Sequence, residues 1–433
     1  MRRFVLVLGL LGMSGPAFAA ASQQPIEPID IPPSIEQGLD MVYIDREMKP
    51  SMEQRDAQLH ASGYSDFQAP DEDMFSPVHP IYTDLRRALV RYQMRWGDLP
   101  QVEIPAGPTL KLNSTGDRVA LLRQRLGLPE GTKFDAATAA VVKEYQAVHG
   151  FKPDGIAGAG TIESLNRGFK HYENTLLLNL ERAKRLPQTT EAGRYVLVDA
   201  GSARLWMYEN GKPVDSMRVI VGSQATETPM MAALMRFVSV NPWWNTPPEL
   251  ATKSVAPGVL KEGLTYLTDR DYQVLSDWTD DAVPIDPATV DWQAVADGKA
   301  TVRLRRGPGP WNSMGKLKFN MPNDFGIYLH DVPDPGRADF KKDDRWISNG
   351  CIRLEDAQRL AKWIFGKVPQ AGDDKTEQNV DLPEAVPVYI TYLTAEAGAD
   401  GPRFRKDPYS RDPALLARYF GEGRQQQVAA VTQ

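Results

Sequence analysis

The sequence predicts an α+β multidomain chain: a mainly β domain with a long capping insertion, a small three-helix module, and a helical scaffold holding that module. Three observations predict it. Residues 82–96 and 172–186 repeat apolar side chains at helical spacing, and 110–168 between them is helical in pattern throughout. After Gly193 the period drops to two, as the alternating faces of a strand require. Turn-rich sequence then interrupts the strands over about 249–311, and an insertion of that length in a β domain is more often functional than idle.

Met1-Arg2-Arg3, an apolar run over 4–13 and Ala17-Phe18-Ala19 have the order of a secretory signal over 1–19. The apolar run is shorter than the roughly 20 residues of a bilayer span. An exported protein with no stable membrane span in its mature form is therefore expected. Residues 20–80 are rich in Pro, Gln, Asp and Ser without a sustained period, which predicts a mostly extended leader or linker. The scaffold is expected over 81–109 and 169–190. Its first helix has Thr83 as a possible cap and Leu85, Leu89 and Tyr92 on one side; its second carries Leu176, Leu177, Leu180, Ala183 and Leu186.

Three short helices fill 110–168. The first runs over 117–126 and closes at Gly127; the second is capped by Asp135 and carries Ala139, Val142, Tyr145 and Gln146; Thr161 can cap the third. The β domain spans 191–393, with strands expected at 195–198, 205–208, 217–221 and 237–240 and Asn210-Gly211 as a hairpin turn. Proline density around Pro242, Pro247 and Pro248 rules out a central strand there. The sheet resumes at 315–319 and 326–330, a helix follows over 354–367, and 386–392 is the last strand. The polar tail, 394–433, is expected to be only partly ordered.

Lys plus Arg number 50 against 56 acidic residues, a net charge of −6. That balance argues against a nucleic-acid partner, which needs a basic face to meet phosphates. The five histidines (60, 79, 149, 171 and 330) show no close ligand spacing, so no metal is expected. No other cofactor is expected either: Gly307-Pro308-Gly309-Pro310 is too proline-rich to cradle a phosphate.

Cys351 is the one cysteine in 433 residues. Exposed thiols in an oxidising compartment tend to pair, so an unpaired one is either buried or retained for chemistry. It follows Asn349-Gly350, a turn signal that sets it on a turn rather than deep in a core. His330 closes a strand, and Tyr328 shares its face. The expected helix over 354–367 would bring a positive helix end near the sulfur, and two consecutive N–H groups of the 349–351 turn could form an oxyanion hole. Taken singly, His330 reads more readily as a satisfied strand-end histidine than as a base, Arg353 as a partner for Asp343 or Asp344, and Asn-Gly as only a turn. Their convergence in an exported chain with one thiol points to an activated nucleophile and its base.

Family resemblances sharpen this. Leu121 to Leu126, Phe134-Asp135 with Thr138, and Gly155-Ile156-Ala157-Gly158 with Thr161 and Leu165-Asn166 resemble the peptidoglycan-binding domain found beside many wall enzymes. Gly315-Lys316-Leu317-Lys318-Phe319-Asn320-Met321-Pro322-Asn323, Ile327-Tyr328-Leu329-His330-Asp331 and Ser348-Asn349-Gly350-Cys351-Ile352-Arg353 resemble the L,D-transpeptidase catalytic (YkuD-type) domain. Pro242, Trp244-Asn245 and Pro247-Pro248 fit its large subclass, which has an inserted peptidoglycan-binding module and a capping loop. Many members carry a second histidine where this chain has Asn349.

The resemblance implies that Cys351 attacks a tetrapeptide stem between the L-centre of diaminopimelate and the terminal D-alanine. His330 would take the thiol proton, Asn349 and Gly350 would lie at the oxyanion turn, and Tyr328, Trp244, Asn245, Ser348 and Arg353 would shape the substrate. A second stem's amine would then complete a diaminopimelate–diaminopimelate cross-link. It also implies donor and acceptor stems as partners, carbapenems as inhibitors, and a periplasmic, wall-associated location. An L,D-carboxypeptidase or cross-link hydrolase on the same scaffold, and a silent wall-binding protein, stay open as alternatives.

Overall fold

A computed structural model of the chain describes residues 41–45, 48, 78–187, 193–279 and 281–421. The expected signal at 1–19, most of the leader and the end of the tail lie outside them.

Helix α1 (Pro80–Trp96) buries Tyr82, Leu85, Leu89, Tyr92 and Trp96. Its cap is His79, not the expected Thr83: His79 Nδ1 accepts the Ile81 N–H at 3.2 Å. Proline at the first helical position is already set at helical φ, so the helix starts earlier than the apolar period alone suggests. Helix α2 (Asp117–Arg125) and α3 (Ala136–Val148) follow. Asp135 caps α3 by accepting the Thr138 N–H at 2.8 Å. Within α4 (Ala159–Ala183), Gly168 leaves the helical region at φ 86° and divides the span into two helices, the module's last and the second of the scaffold, which follow each other directly across the kink. Thr161 does not cap the first of them. The helix begins at Ala159, and the Thr161 hydroxyl accepts from Gln146 Nε2 at 3.2 Å.

Part of the expected leader is built into the sheet. Strand β1 (Val42–Tyr43) pairs in parallel with residues 231 and 232, and Asp45 accepts the Leu234 N–H and ion-pairs with Arg236 at 3.0 Å. Strands β2 (Arg194–Asp199), β3 (Arg204–Glu209), β4 (Lys212–Gly222) and β5 (Met231–Val240) come next. Asn210 and Gly211, φ 50° and 73°, form the β3–β4 hairpin, the two left-handed residues that match strand twist.

The insertion is not the irregular stretch the sequence suggests. Strands β6 (Trp244–Thr246), β7 (Tyr272–Leu275) and β8 (Arg303–Arg306) make a separate sheet in the order β6-β8-β7. Helices α5 (Ala256–Glu262) and α6 (Trp292–Ala296) pack around it over a core of Val255, Val259, Leu267, Val274, Trp292 and Leu304. Because β6 is an edge strand, the neighbouring prolines break no ladder.

Strands β9 (Leu317–Asn320), β10 (Leu329–His330), β11 (Trp346–Ser348), β12 (Ile352–Leu354) and β13 (Gln378–Thr391) complete the main sheet, with helix α7 (Ala357–Phe365) after β12. The order is β5-β13-β2-β3-β4-β12-β10-β9, and β9 pairs back onto β5. The sheet therefore closes into a barrel, which removes its open edges. Val196, Val219, Phe319, Leu329 and Ile352 fill the interior with no exposed surface, each contributing on the order of 2 kcal/mol through burial. Outward side chains Tyr195, Leu197, Tyr208 and Tyr389 meet α1 and α4, and His79 Nε2 bonds Tyr195 Oη at 2.9 Å.

The tail is also structural, against expectation. Strands β14 (Ala395–Ala397) and β15 (Pro402–Phe404) pair, and helix α8 (Asp412–Phe420) follows. Its apolar Leu415 and Leu416 cover Leu178 of α4, and Asp412 meets the fully buried Arg182 at 2.8 Å. Polar composition concealed this because the tail is anchored by polar groups.

Candidate active site

Register on β9, β10 and β12 builds the site. Leu329 pairs with Phe319 on one side and Ile352 on the other, and all three enter the barrel core. Alternation then turns His330, Lys318 and Arg353 to the opposite face, where His330 is aligned with both cations. Tyr328 and Cys351 lie next along the same two strands, joined by the Ile352 N–H donating to Tyr328 O at 3.0 Å. One face thus carries Cys351, His330, Tyr328, Arg353 and Lys318. The first four are sequence-predicted; Lys318 is not. The available signal was a lysine alternating with Leu317 and Phe319 in a short apolar strand, but without register it reads as a solvated position.

His330 is 2% exposed. Its Nδ1–H donates to Asp331 O at 2.6 Å; a carbonyl can only accept, so the neutral ring leaves Nε2 as the free basic nitrogen. Burial, then the neighbouring Arg353, pushes the imidazolium down to about 3, so the ring is a neutral base across the physiological range. The Asp331 carboxylate is fixed in turn by Arg337 at 2.8 Å and the Lys316 N–H at 3.1 Å.

Cys351 is free and half-buried, and its thiol donates to Gly326 O at 3.4 Å. Burial pushes this thiol up; hydrogen bonding from Tyr328 and the charges of Lys318 and Arg353 pull the other way. The Tyr328 phenol is raised, chiefly by burial and then by the sulfur. The site needs no thiolate at rest, but it holds the charges that favour one.

Bonds from outside the turn brace 348–351. Thr228 Oγ1 donates to Gly350 O at 2.7 Å and accepts the Gly222 N–H at 2.9 Å. Thr226 Oγ1 and the Ser223 N–H both donate to Ser348 O at 2.9 Å. Within the turn Ser348 Oγ donates to Cys351 O at 2.7 Å and accepts the Gly350 N–H at 3.1 Å. Gly350 has φ 110°, and a Cβ there would sit 3.2 Å from Ile327 Cδ1; only glycine fits without strain.

Two sequence expectations are corrected here. The Gly350 N–H already has an acceptor in Ser348, so the expected pair of free consecutive N–H groups is not present; the Cys351 N–H has no acceptor among the described residues. The expected helix does not begin behind the sulfur. Strand β12 and two further residues intervene, so α7 starts roughly 20 Å along the chain at strand rise, and its first turn is capped by Asp356, which accepts the Arg359 N–H at 2.9 Å. The helix dipole fades within about a turn.

Arg353 forms no ion pair with Asp343 or Asp344 among the described residues, and Asp339 is the acid whose charge bears on it most. Asn349 is exposed. Trp244 and Asn245 stand on β6 in the capping subdomain, paired with Arg306 and Arg305, with the Arg306 guanidinium over the Trp244 ring at 5.4 Å. Neither joins the Cys351 face through a hydrogen bond or ring contact among the described residues. Among the described residues no three of His, Cys, Asp and Glu are grouped so as to hold a metal ion.

Known proteins match the regions that build this site. Residues 193–390 match the family model of the L,D-transpeptidase catalytic domain, YkuD, and 115–165 match the model described as "Putative peptidoglycan binding domain". A Haemophilus influenzae protein named "Putative L,D-transpeptidase" is 32% identical over 230 residues, covering 51% of this chain and 44% of that protein. The chain thus spans under half the length of this relative. Among solved structures, the L,D-transpeptidase of Xylanimonas cellulosilytica is matched at 14% identity and TM-score 0.19, over 66% of this chain and all of that one. That of Mycobacterium smegmatis is matched at 11% and 0.22, over 46% of this chain and 59% of that one. Residues 193–390 are thus similar to the L,D-transpeptidase (YkuD) catalytic domain, and residues 115–165 to a peptidoglycan-binding domain.

Proposed function

We propose that the chain is an L,D-transpeptidase that cross-links peptidoglycan stems through a thioester on Cys351. The supporting observation is the shared face on which the chain's one thiol stands beside a neutral histidine whose Nδ1–H is tied to Asp331, leaving Nε2 to accept a proton.

In the donor step Sγ attacks the carbonyl between the L-centre of diaminopimelate and D-alanine while His330 Nε2 takes the thiol proton. The Cys351 N–H faces the developing oxyanion. The C–N bond breaks, His330 returns the proton to the departing amine, and free D-alanine leaves behind a thioester. In the acceptor step a diaminopimelate amine of a second stem attacks, gives its proton to His330, and expels the thiolate, which regains that proton. Tyr328 lines the sulfur, Ser348 sets the turn, and Arg353 takes a stem carboxylate, for which a guanidinium suits a bidentate fit. Trp244 and Asn245 serve the outer groove, with the capping subdomain excluding water from the thioester.

The module over 110–168 positions the catalytic domain, 191–393, on the wall through the scaffold helices. The enzyme works after export through the segment at 1–19, in the periplasm, and carbapenems acylate Cys351. Incubation with a disaccharide-tetrapeptide, with products weighed, tests the reading. A dimer lighter than two substrates by one D-alanine supports transfer; tripeptide alone, from water resolving the thioester, replaces it with hydrolysis. A carbapenem adduct by intact mass that disappears in Cys351→Ala assigns the nucleophile, and persistence of the adduct refutes it.

A further inference from the structure

Lys318 has no part in the proposed proton path, yet it flanks His330 on the charged face. On β9 it is the register partner of His330, and on β12 Arg353 is the partner on the other side. Neighbouring strands lie about 4.8 Å apart, so the imidazole sits between two cations, one per flanking strand. Lys318 Nζ is 4.3 Å from the centroid of the Tyr328 ring, and Tyr328 borders Cys351. A half-buried ammonium ordinarily finds a carboxylate. Among the described residues none is hydrogen-bonded or ion-paired to Nζ. The ring face of Tyr328 is its one short contact with opposite polarity.

We propose that Lys318 is a positioning residue of this site, which together with Arg353 keeps His330 in its proton-accepting form and steadies negative charge on the Cys351 sulfur. A proton moved from sulfur to Nε2 creates an imidazolium between two cations. That state is costly, so the proton passes on to the leaving amine rather than resting on His330, and the cations hold the sulfur anion that an imidazolium otherwise would. The electrostatics agree with the geometry. Lys318 bears on His330 in the direction that disfavours its protonation, and on Cys351 in the direction that favours ionisation. The remaining charged groups facing this cluster are Glu377, toward Lys318, and Asp339, toward Arg353. Burial pushes the Lys318 ammonium itself down, the cost of keeping it there.

The inference rests on Cys351 and His330 acting as proposed, but its test does not require turnover. Full-length wild type, Lys318→Met and Lys318→Arg are alkylated with iodoacetamide across pH 5 to 10, and Cys351 modification is followed by intact mass. Removing a unit charge that bears on the sulfur moves the thiol inflection by about one pH unit, so in Lys318→Met it rises by that amount and alkylation slows about tenfold near neutrality. Lys318→Arg keeps the wild-type profile. Thermal unfolding supplies the second readout: a neutral side chain of like volume relieves an unpaired half-buried charge, so Lys318→Met melts no lower than wild type. An unmoved inflection, an equal shift in Lys318→Arg, or failure of Lys318→Met to fold each overturns the proposal. If the inflection moves while no variant or wild type transfers stems, the transferase reading falls and the role of Lys318 on the sulfur stands.

Discussion

Thr228→Val isolates the brace on the catalytic turn. Thr228 is fully buried, and its one hydroxyl serves two main-chain groups, donating to Gly350 O at 2.7 Å and accepting the Gly222 N–H at 2.9 Å. Valine keeps the shape and removes both bonds, leaving two orphaned polar groups at about 1–3 kcal/mol each. The expected loss is therefore roughly 2–6 kcal/mol, unless the turn moves to recover partners. Either response reaches Cys351, since Gly350 is its neighbour in the chain, and a displacement of about 1 Å at a reacting atom costs on the order of a hundredfold in rate. The assay is the initial rate of carbapenem acylation of Cys351 together with the thermal midpoint, with Thr228→Ser as the control that keeps the hydroxyl. Thr228→Val should lose about tenfold or more in acylation and several degrees in midpoint, and serine should retain most of both. Wild-type values for both quantities in Thr228→Val would refute the idea that this hydroxyl sets the turn.

Acid should weaken the fold through two buried histidines. His330 and His149 are both held down to about 3, by burial first. An unfolded histidine titrates near 6.5, so the unfolded chain binds protons that the folded one refuses. Stability from these groups is complete above that value and falls as the pH drops toward 3. By pH 5 the loss is roughly 2 kcal/mol for each, and denaturant midpoints at pH 7 and pH 5 measure it; equal midpoints would contradict the burial. Asp412→Asn breaks the ion pair with fully buried Arg182 and should cost about 3–5 kcal/mol, read as earlier proteolysis within 395–420; wild-type resistance would show that the pair does not hold the tail.

Much of the site was legible because it is local in sequence. Cys351, Gly350 and Ser348 share one turn, and His330 ends a strand whose alternation already placed Tyr328 beside it. The helices of the module were legible for a similar reason, since Asp135 and the apolar period act within a few residues. What escaped depends on long-range pairing. Lys318 faces His330 only through the β9–β10 register, and the Thr228 brace joins residues far apart in the chain. The capping subdomain escaped because its strands are short and separated by turns, so no period is long enough to see. The tail escaped because its anchors are a buried carboxylate and tyrosine hydroxyls, which composition counts as solvent-loving.

Tyr409 gives the tail a consequence for the order in which the protein becomes competent. Its hydroxyl donates to Gly222 O at 2.9 Å and accepts the Thr228 N–H at 3.3 Å, so it secures the two residues that brace the turn beneath Cys351. Translation makes the thiol well before it makes this tyrosine. A chain that ends ahead of Tyr409 lacks both of these bonds, and the turn then rests on Ser223, Thr226 and Thr228 alone. The nucleophile's turn thus draws part of its support from a segment that is synthesised after it.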